Sequence, residues 1–566
     1  MKNIFIILAA AAVVALPFIF RKEKDAGEWR SGAPVLVAIS PHIAVIRDEF
    51  AEAFSDWHRR EFGSPVKIDW RLIGGTTEIM RYLQGEFAAA YRGFVVRSGN
   101  AWPAGAADAV LSRRRPSDDA LAVLWDDFRS RDSSGEFTTT IDVFFGGGTY
   151  DHSSAERQGF TVSALGDDFQ ISDSDFPEAL GGEQWRSTHF FSAALSGFGI
   201  CSNPDRIAEL GITEKPVRWA DLADPRYLGQ VGVTDPTKSG SVAKAFEMII
   251  HSEMARAAAS AGWSREQIAE FEGKISAARL PFGEMPEGVP QKYQDDLEAA
   301  WFEGLNLVRR IGANARYFTD GAGRVPVDVA AGDAAAGISI DFYSRVQAEV
   351  TKVGDVARLD YVTPLGGSSV SGDPICILRG APHPELARRF VKFVLSPEGQ
   401  KLWNYRPGEP GGPKKSALRR LPVLREFYPD AVNPEIDAKA REHAKHTSDD
   451  LLDSAVDAYH LAKSFEYYPR WTGAHFGFFR QFVRAACMDS GVELRAAWKA
   501  IIDAGGADAN PEAVALLERL PALPEAVTWR SAASYGSRHE TVDYMREWVK
   551  FFRESYREAE RAAAAN

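Results

Sequence analysis

The stretch PVLVAISPHIAVIRDEFAEAFSDWHRREFGSPVKIDWRLIGGTTEIMRYL, residues 34–83, decides the fold class. It opens with an apolar run at 34–39 that predicts a buried strand, and a helix is predicted over 42–62. A second strand at 66–70 and a helix opening at Gly74 repeat this order. Strand, helix, strand, helix indicates an α/β domain with a largely parallel sheet. The first helix is predicted from four large apolar residues at three- and four-residue spacing: Ile46, Phe50, Phe54 and Trp57.

Similar elements continue along the chain to about residue 413. Apolar runs predict strands at 141–145, 190–200, 229–234, 335–340 and 375–378. Helical spacing predicts helices at 241–260, 291–311 and 384–395. The polar segment 97–138 is interpreted as an insertion or a flexible excursion.

Beyond Pro434 the chain is rich in Ala, Glu and Arg, and we expect it to be entirely helical. Near its end a stripe of large residues recurs at helical spacing: Met545, Trp548, Phe552 and Tyr556. Such a stripe needs a covering surface, because exposing it would forgo about 1.5–3 kcal/mol for each side chain. We expect the region to pack on the second half of the preceding domain.

Composition excludes several classes of protein. The 566 residues are 45% apolar, which is enough for a packed core and argues against a mainly disordered chain. The formal net charge of −12 argues against a nucleic-acid binder, which needs a basic surface. Cys201, Cys376 and Cys487 are far apart and lack C-x-x-C spacing, so neither a disulfide scaffold nor a cysteine zinc site is expected.

The N-terminus is typical of an exported protein. Lys2 precedes an apolar run from Ile4 to Phe20, and a basic cluster at 21–24 follows at once. This segment suits either a cleaved signal peptide or an uncleaved membrane anchor, since 17 residues is the lower limit for a spanning helix. Both interpretations remain open.

The sequence carries none of the common catalytic motifs, and two of its loops suit the binding of a small anion. G-x-S-x-G, H-E-x-x-H and G-x-x-x-x-G-K-[ST] are all absent. Segments 74–78 and 234–241 each run from a strand into a helix through glycine and hydroxyl residues. Glycine permits close approach of a ligand, and the first turn of a helix offers free N–H groups to an anion. For Thr76 and Thr77 an ordinary capping role is the alternative.

An ordered set of landmarks accompanies these loops. They are ISPH (39–42), GGT (74–76), IDVFFGGG (141–148), WADLADPRY (219–227), TDPTKSG (234–240), AGD (331–333), IDFY (340–343) and FVKFVLSPEGQKLW (390–403). In this order, over residues 34–425, the chain resembles the extracellular solute-binding proteins of bacterial ABC importers, in the ferric-iron-binding-like group.

The resemblance implies a two-lobed α/β periplasmic-binding-protein fold, type II-like, with hinge strands crossing between the lobes. It divides the chain into a leader or anchor with its linker (1–33), a solute-binding domain of two discontinuous lobes (34–433) and a helical C-terminal extension (434–566). The implied function is non-catalytic. A small-molecule or metal-ion solute is captured between the lobes outside the cytoplasm, in the periplasm for instance, and delivered to a permease in the inner membrane.

The resemblance also implies two alternative ligand sets. In the ferric binders a histidine and two adjacent tyrosines hold the metal, with a carboxylate and an anion completing the site. This sequence keeps His42 and Tyr343 but replaces the other tyrosine by Phe342, and a carboxylate such as Asp341 could substitute for it. Fe³⁺ would then be the transported solute. An organic anion would instead use hydroxyls and backbone amides at Thr76, Thr77, Ser239, Gly240 and Ser241, with Asp341 and Tyr343 beside them and His42 at the edge.

Two other classes of function stay open. A membrane-tethered sensor would use the same binding fold and the 4–20 segment as its anchor. An exported enzyme would need catalytic groups that are distant in sequence, because no nucleophile–base pair is visible along the chain.

Overall fold

The computed structural model describes residues 33–131, 137–354 and 356–565. Its strands are β1 (Val35–Ile39), β2 (Lys67–Arg71), β3 (Val143–Phe145), β4 (Thr161–Val162), β5 (Ala179–Leu180), β6 (Glu183–Gln184), β7 (Phe190–Ser202), β8 (Val231–Thr234), β9 (Ala315–Thr319), β10 (Ala336–Ile340), β11 (Asp360–Val362), β12 (Val370–Leu378) and β13 (Leu421–Pro422).

The helices alternate with these strands as far as β13, and after it the described residues are helical without further strands. They are α1 (Ala44–Phe62), α2 (Thr76–Arg97), α3 (Ala106–Leu111), α4 (Asp119–Ser130), α5 (Thr149–Arg157), α6 (Pro204–Glu209), α7 (Gly240–Ser260), α8 (Arg265–Ala278), α9 (Gln291–Asn314), α10 (Arg324–Ala331), α11 (Asp341–Val350), α12 (Pro384–Val394), α13 (Pro397–Asn404), α14 (Pro434–Ala444), α15 (Ala458–Ser464), α16 (Pro469–Thr472), α17 (Phe476–Val483), α18 (Gly491–Asp503), α19 (Pro511–Leu517), α20 (Trp529–Ala532), α21 (Tyr535–Arg538) and α22 (Thr541–Ala564).

Two half-sheets share one long strand. The path of hydrogen-bonded neighbours is β2-β1-β3-β12-β7-β10-β8-β9. In the first half β1 runs parallel to β2 and β3, and in the second β8 runs parallel to β9 and β10. The parallel strands are covered by helices, as buried parallel strands require. This arrangement confirms the α/β prediction.

Strand β7 passes from one half-sheet to the other. Up to Gly197 it pairs with β12, and from Phe198 onward it pairs with β10 on one side. On the other side of β7, β11 pairs with the last residues of β7. The chain then returns through β11 and β12 to the first half-sheet. At Gly199 a side chain would collide with the carbonyl oxygen of Val362, which explains a glycine at this close approach. Two crossing connections therefore join two lobes, as the resemblance implied.

Each lobe has its own buried core. In the first, Phe50, Phe54 and Phe145 of the predicted elements pack with Trp403. In the second, strand residues such as Val231 pack with side chains of α7 and α9. The predicted strands and helices of both lobes are present, with ends shifted by a few residues.

In the part of 97–138 that the structure describes, the chain forms helices, so the prediction of a flexible excursion is wrong there. Helix α2 continues to Arg97, and α3 and α4 follow. Asp118 caps α4 by accepting a hydrogen bond from the Leu121 amide, and Phe128 of α4 is fully buried. In the sequence, Asp118 as a helix cap and the apolar residues that follow it indicate helix α4. The charged residues around them obscured this pattern.

The C-terminal extension is helical, as expected, but only its later part packs on the second lobe. Leu451, Tyr459 and Leu461 belong to the core of the first lobe, and the Tyr459 ring stands edge-on to Trp185 at 5.1 Å. From Trp471 onward the extension joins the core of the second lobe. The terminal stripe of α22 is covered there: Trp548, Phe552 and Tyr556 are buried and Met545 is half-buried. The extension is thus a third connection between the lobes.

The predicted signal peptide or anchor lies outside the described residues. Within the ranges given above, no helix is both long enough and apolar enough to cross a membrane.

Candidate functional site

The carboxyl ends of the parallel strands of each lobe lead into the loops that the sequence singled out. His42 follows β1, Gly146 follows β3, Asp235 follows β8 and Asp341 follows β10. In open α/β sheets ligands bind in the crevice outside these strand ends. The two lobes touch at this point, because the Phe342 ring of the second lobe lies 4.5 Å from the guanidinium of Arg420 in the first.

The floor of the crevice is a buried hydrogen-bonded triad that sequence reasoning found only in part. Nε2 of His42 hydrogen-bonds Oδ2 of Asp373 at 3.0 Å, and Arg420 pairs with the same carboxylate. Arg420 also donates to the hydroxyl oxygen of Ser196 at 2.8 Å. Burial would raise the pKa of Asp373, but Arg420 and His42 outweigh it and hold that pKa far below its usual range.

The triad keeps unused hydrogen-bonding capacity. Nδ1 of His42, Oδ1 of Asp373 and Nε of Arg420 are buried and have no hydrogen-bond partner among the described residues. Buried polar groups are normally paired, so orphaned atoms on three neighbouring side chains mark a place where a ligand or water completes the bonding. Asp373 and Arg420 are the site residues that the sequence did not indicate.

A glycine loop forms the first-lobe wall beside this floor. Gly146 and Gly147 have φ of 97° and 109°. A β-carbon at Gly146 would lie 2.6 Å from Cε1 of His42, and one at Gly147 would lie 2.5 Å from Cγ2 of Thr76. Only glycine allows this combination of left-handed backbone and close approach. The GGG run is therefore a close-contact surface around His42 and Thr76.

Thr76 and Thr77 begin α2 at the edge of that wall. Both are half-buried, and the helix has no side-chain cap, so its first amides remain available. The Thr76 hydroxyl donates to Asp151 of α5. Burial raises the pKa of Asp151, with Thr76 and the Gly148 amide acting against this shift.

The second-lobe wall is the loop from Asp235 to Ser239. Asp235 accepts hydrogen bonds from the amide (2.8 Å) and the hydroxyl (2.6 Å) of Thr237, which fixes the turn. Ser239 caps α7 by accepting from the Val242 amide at 3.3 Å. Gly240 and Ser241 follow in the first turn of α7 and are exposed.

Tyr343 extends this wall toward the floor. Its ring lies against Gly323, and it is half-buried near Arg420 and Asp373. Burial raises the pKa of its phenol, and Asp373 adds to this shift while Arg420 opposes it. The hydroxyl therefore stays protonated at neutral pH and can donate or accept a hydrogen bond.

Asp341 lies apart from these groups, buried at the hinge. One carboxylate oxygen accepts from the Gly197 amide at 3.1 Å and the other from the Phe342 amide at 2.7 Å. Gly197 is the residue at which β7 changes partner strands. Both oxygens of Asp341 are thus engaged in holding the crossing strand to α11.

The three candidate ferric ligands, His42, Asp341 and Tyr343, do not come together as a metal site. In the part of the chain that the structure describes, no three His, Cys, Asp or Glu side chains are close enough to hold a metal ion together. His42 and Tyr343 both lie beside the Asp373–Arg420 pair, but Asp341 is turned to the hinge amides. What the crevice does bring together is a polar floor, a glycine loop and two helix starts.

Comparison with known proteins defines the class of this domain. Residues 182–423 match the family model described as bacterial extracellular solute-binding protein. Its members bind solutes without catalysing a reaction. The matched segment contains β7, β8, β10 and β12, and so both crossings between the lobes.

Other similarities are more distant. An uncharacterized protein of Haemophilus influenzae is 24% identical over 217 residues, which cover 38% of this chain and 47% of that protein, so the match spans about half of the curated relative's length.

Similar solved structures include the periplasmic binding protein AfuA of Actinobacillus pleuropneumoniae and the iron-bound HitA of Pseudomonas aeruginosa. AfuA is 16% identical with a TM-score of 0.40, covering 77% of this chain and 95% of AfuA. HitA is 17% identical with a TM-score of 0.40, covering 73% of this chain and 97% of HitA. At such low TM-scores, the family match and the strand topology define the class.

Proposed function

We propose that this protein captures a small, negatively charged organic solute between its two lobes and delivers it to an ABC permease of the inner membrane. The single observation that carries the proposal is the crevice itself: strand-end loops of both lobes meet over the His42–Asp373–Arg420 floor, which has unpaired hydrogen-bonding atoms. The match of residues 182–423 to the solute-binding family supports it. The family also supports a location outside the cytoplasm.

Binding closes the lobes by rotation about the crossing strands. Solute contacts come from Thr76 and Thr77 on one side and from Ser239, Gly240, Ser241 and Tyr343 on the other, with His42 at the floor. A ligand that touches both walls stabilises the closed conformation over the open one, and that differential contact drives the motion.

An organic anion fits these groups better than a ferric ion. The uncapped start of α2 offers N–H groups to an anion, and Arg420 brings a positive charge to the floor. A ferric ion would need His42 and Asp341 to leave their present partners and Tyr343 to lose a proton that burial helps it retain. The similar solved structures include one with bound fructose-6-phosphate and one with bound iron, so they do not distinguish an organic anion from a metal ion.

Native mass spectrometry with elemental analysis of freshly purified protein tests the proposal. We expect a co-purified organic mass and no stoichiometric iron. One equivalent of iron would establish the ferric alternative instead. The identified solute should then reduce the radius of gyration in small-angle scattering, and no compaction at saturation would refute the closing crevice.

Two variants test the walls once that solute is known. Tyr343→Phe and Thr76→Val each remove one hydroxyl and should weaken binding by about 0.5–1.5 kcal/mol, the usual net value of a neutral hydrogen bond. Thr528→Val is a control at a distant helix cap of the extension. Unchanged affinity in both wall variants would contradict the assignment.

A further inference from the structure

One face of α17, in the C-terminal extension, lies against the crevice. Phe476, Arg480 and Arg484 are four residues apart and so share a side of the helix and of the turn that follows it. The segment lies outside the 182–423 region that matches the solute-binding family. None of the site residues described above belongs to this segment.

Arg480 and Arg484 hold the second-lobe wall in shape. Nε of Arg480 donates to the Pro236 carbonyl at 2.9 Å, and Nη2 donates to the Thr237 carbonyl at 2.6 Å. Nη1 of Arg484 lies 3.0 Å from the carboxylate of Asp235, the residue that fixes the turn. The loop is therefore clamped by the extension over three consecutive residues.

The same helix face also meets the first lobe. The Phe476 ring stacks on Tyr150 of α5 with centroids 6.3 Å apart. Arg480 interacts with the charges of Asp151 and Glu78 of the first lobe and of Asp235 of the second. Its guanidinium thus lies between the two walls, near the Asp151 carboxylate that accepts from Thr76.

Arg480 has hydrogen-bonding capacity left at this position. Two of its three nitrogens are committed to backbone carbonyls, and Nη1 has no hydrogen-bond partner among the residues described. Its side chain is half-buried. Burial lowers the pKa of Arg480, with Asp235 and Asp151 opposing the shift, and the group remains a cation at any physiological pH.

We propose that the C-terminal extension forms a third wall of the crevice and that Arg480 binds the negatively charged group of the solute, a carboxylate or a phosphate, through Nη1. The proposal rests on the proposed function and assigns to the extension one cation of the anion site. A guanidinium already oriented by two carbonyls is preorganised for an anion. Arg484 is a positioning residue that acts through Asp235.

Titration of full-length protein with inorganic phosphate at constant ionic strength tests this. Arg480→Gln should weaken phosphate binding at least tenfold, and Arg480→Lys, which keeps the charge, should weaken it less. Arg495→Gln is the matched control: Arg495 is also in the extension and donates to a second-lobe carbonyl, that of Ala315, at 2.7 Å. Its phosphate affinity should equal that of the wild type.

The outcomes separate this inference from the proposed function. If the wild type binds neither phosphate nor a co-purified anion, the anionic-solute proposal fails. If the wild type binds phosphate and Arg480→Gln binds it equally, the third wall is refuted while the proposed function stands. In case that variant does not fold, phenylglyoxal labelling of the wild type gives a second readout. Phosphate should protect Arg480 and not Arg495, and equal labelling with and without phosphate overturns the inference.

Discussion

A buried ion cluster behind the crevice joins both lobes to the extension, and replacing its single cation should destabilise the protein strongly. Nζ of Lys244, on α7, lies 3.0 Å from a carboxylate oxygen of Glu183 and 3.1 Å from one of Glu247. The Tyr467 ring of the extension covers the ammonium at 3.6 Å. Burial alone would lower the pKa of Lys244, but the two carboxylates outweigh it and raise that pKa well above its usual range.

Lys244→Met keeps the side-chain length and removes the charge. Two carboxylates then remain buried, since the side chains of Glu183 and Glu247 are only 9% and 1% exposed. Breaking a buried pair by removing one partner lowers the free energy of unfolding by about 3–5 kcal/mol. The remaining bonds, from Ser369 to Glu183 and from Thr472 and Tyr467 to Glu247, come from neutral hydroxyls and do not replace the cation.

Urea unfolding followed by tryptophan fluorescence measures this loss. Lys238→Met is the matched control, because Lys238 pairs with Asp320 on the surface and such pairs contribute about 0–1 kcal/mol. Adding Glu183→Gln and Glu247→Gln to Lys244→Met should recover much of the stability, as no buried charge is then left unpaired. A Lys244→Met variant within 1 kcal/mol of wild type would refute the reasoning.

Two further predictions concern pH and the extension. Burial lowers the pKa of His152 and His475 to about 4 and of His251 to about 3. The unfolded chain binds these protons first, so stability is full above pH 6.5 and falls below it by about 1.4 kcal/mol per pH unit for each histidine. His251→Gln should remove about that much of the slope between pH 6 and 4.5 in urea unfolding, and an unchanged slope would contradict the assignment. Phe552→Ala in α22, where Phe552 is fully buried, should lower the free energy of unfolding by about 3–5 kcal/mol. Val542→Ala on the exposed start of the same helix should change it by less than about 0.5 kcal/mol, and equal effects would show that the stripe is not packed.

Local patterns were enough to predict the strands and helices that build each lobe. The 34–83 stretch specifies β1, α1 and β2 because apolar spacing there has a clear period, and the helix-start loops carry their own glycines and hydroxyls. The family landmarks gave the two lobes and the crossing strands, which the order of β7, β11 and β12 confirms.

The floor and the third wall could not be predicted in the same way. His42 and Asp373 are separated by 331 positions, and Asp373 lies in an apolar strand where nothing local marks it as a partner. Arg480 and Arg484 are two of many arginines in the extension, and only the packing of α17 sets them beside Asp235. The expectation that the whole extension covers the second lobe failed because an apolar helix face indicates burial but not which lobe buries it.

The third connection between the lobes limits how far they can separate. Helix α15 packs on the first lobe and α16 on the second. Only four residues, Phe465 to Tyr468, connect these two helices, and the backbone of Phe465 and of Tyr468 is already extended. Four extended residues reach about 13–14 Å, so little slack remains in this tether. The Tyr467 amide also donates to the Gly181 carbonyl at 2.9 Å. The lobes can therefore rotate about this short segment, whereas a wide separation of the lobes would have to detach α15 or α16 from the core on which it packs.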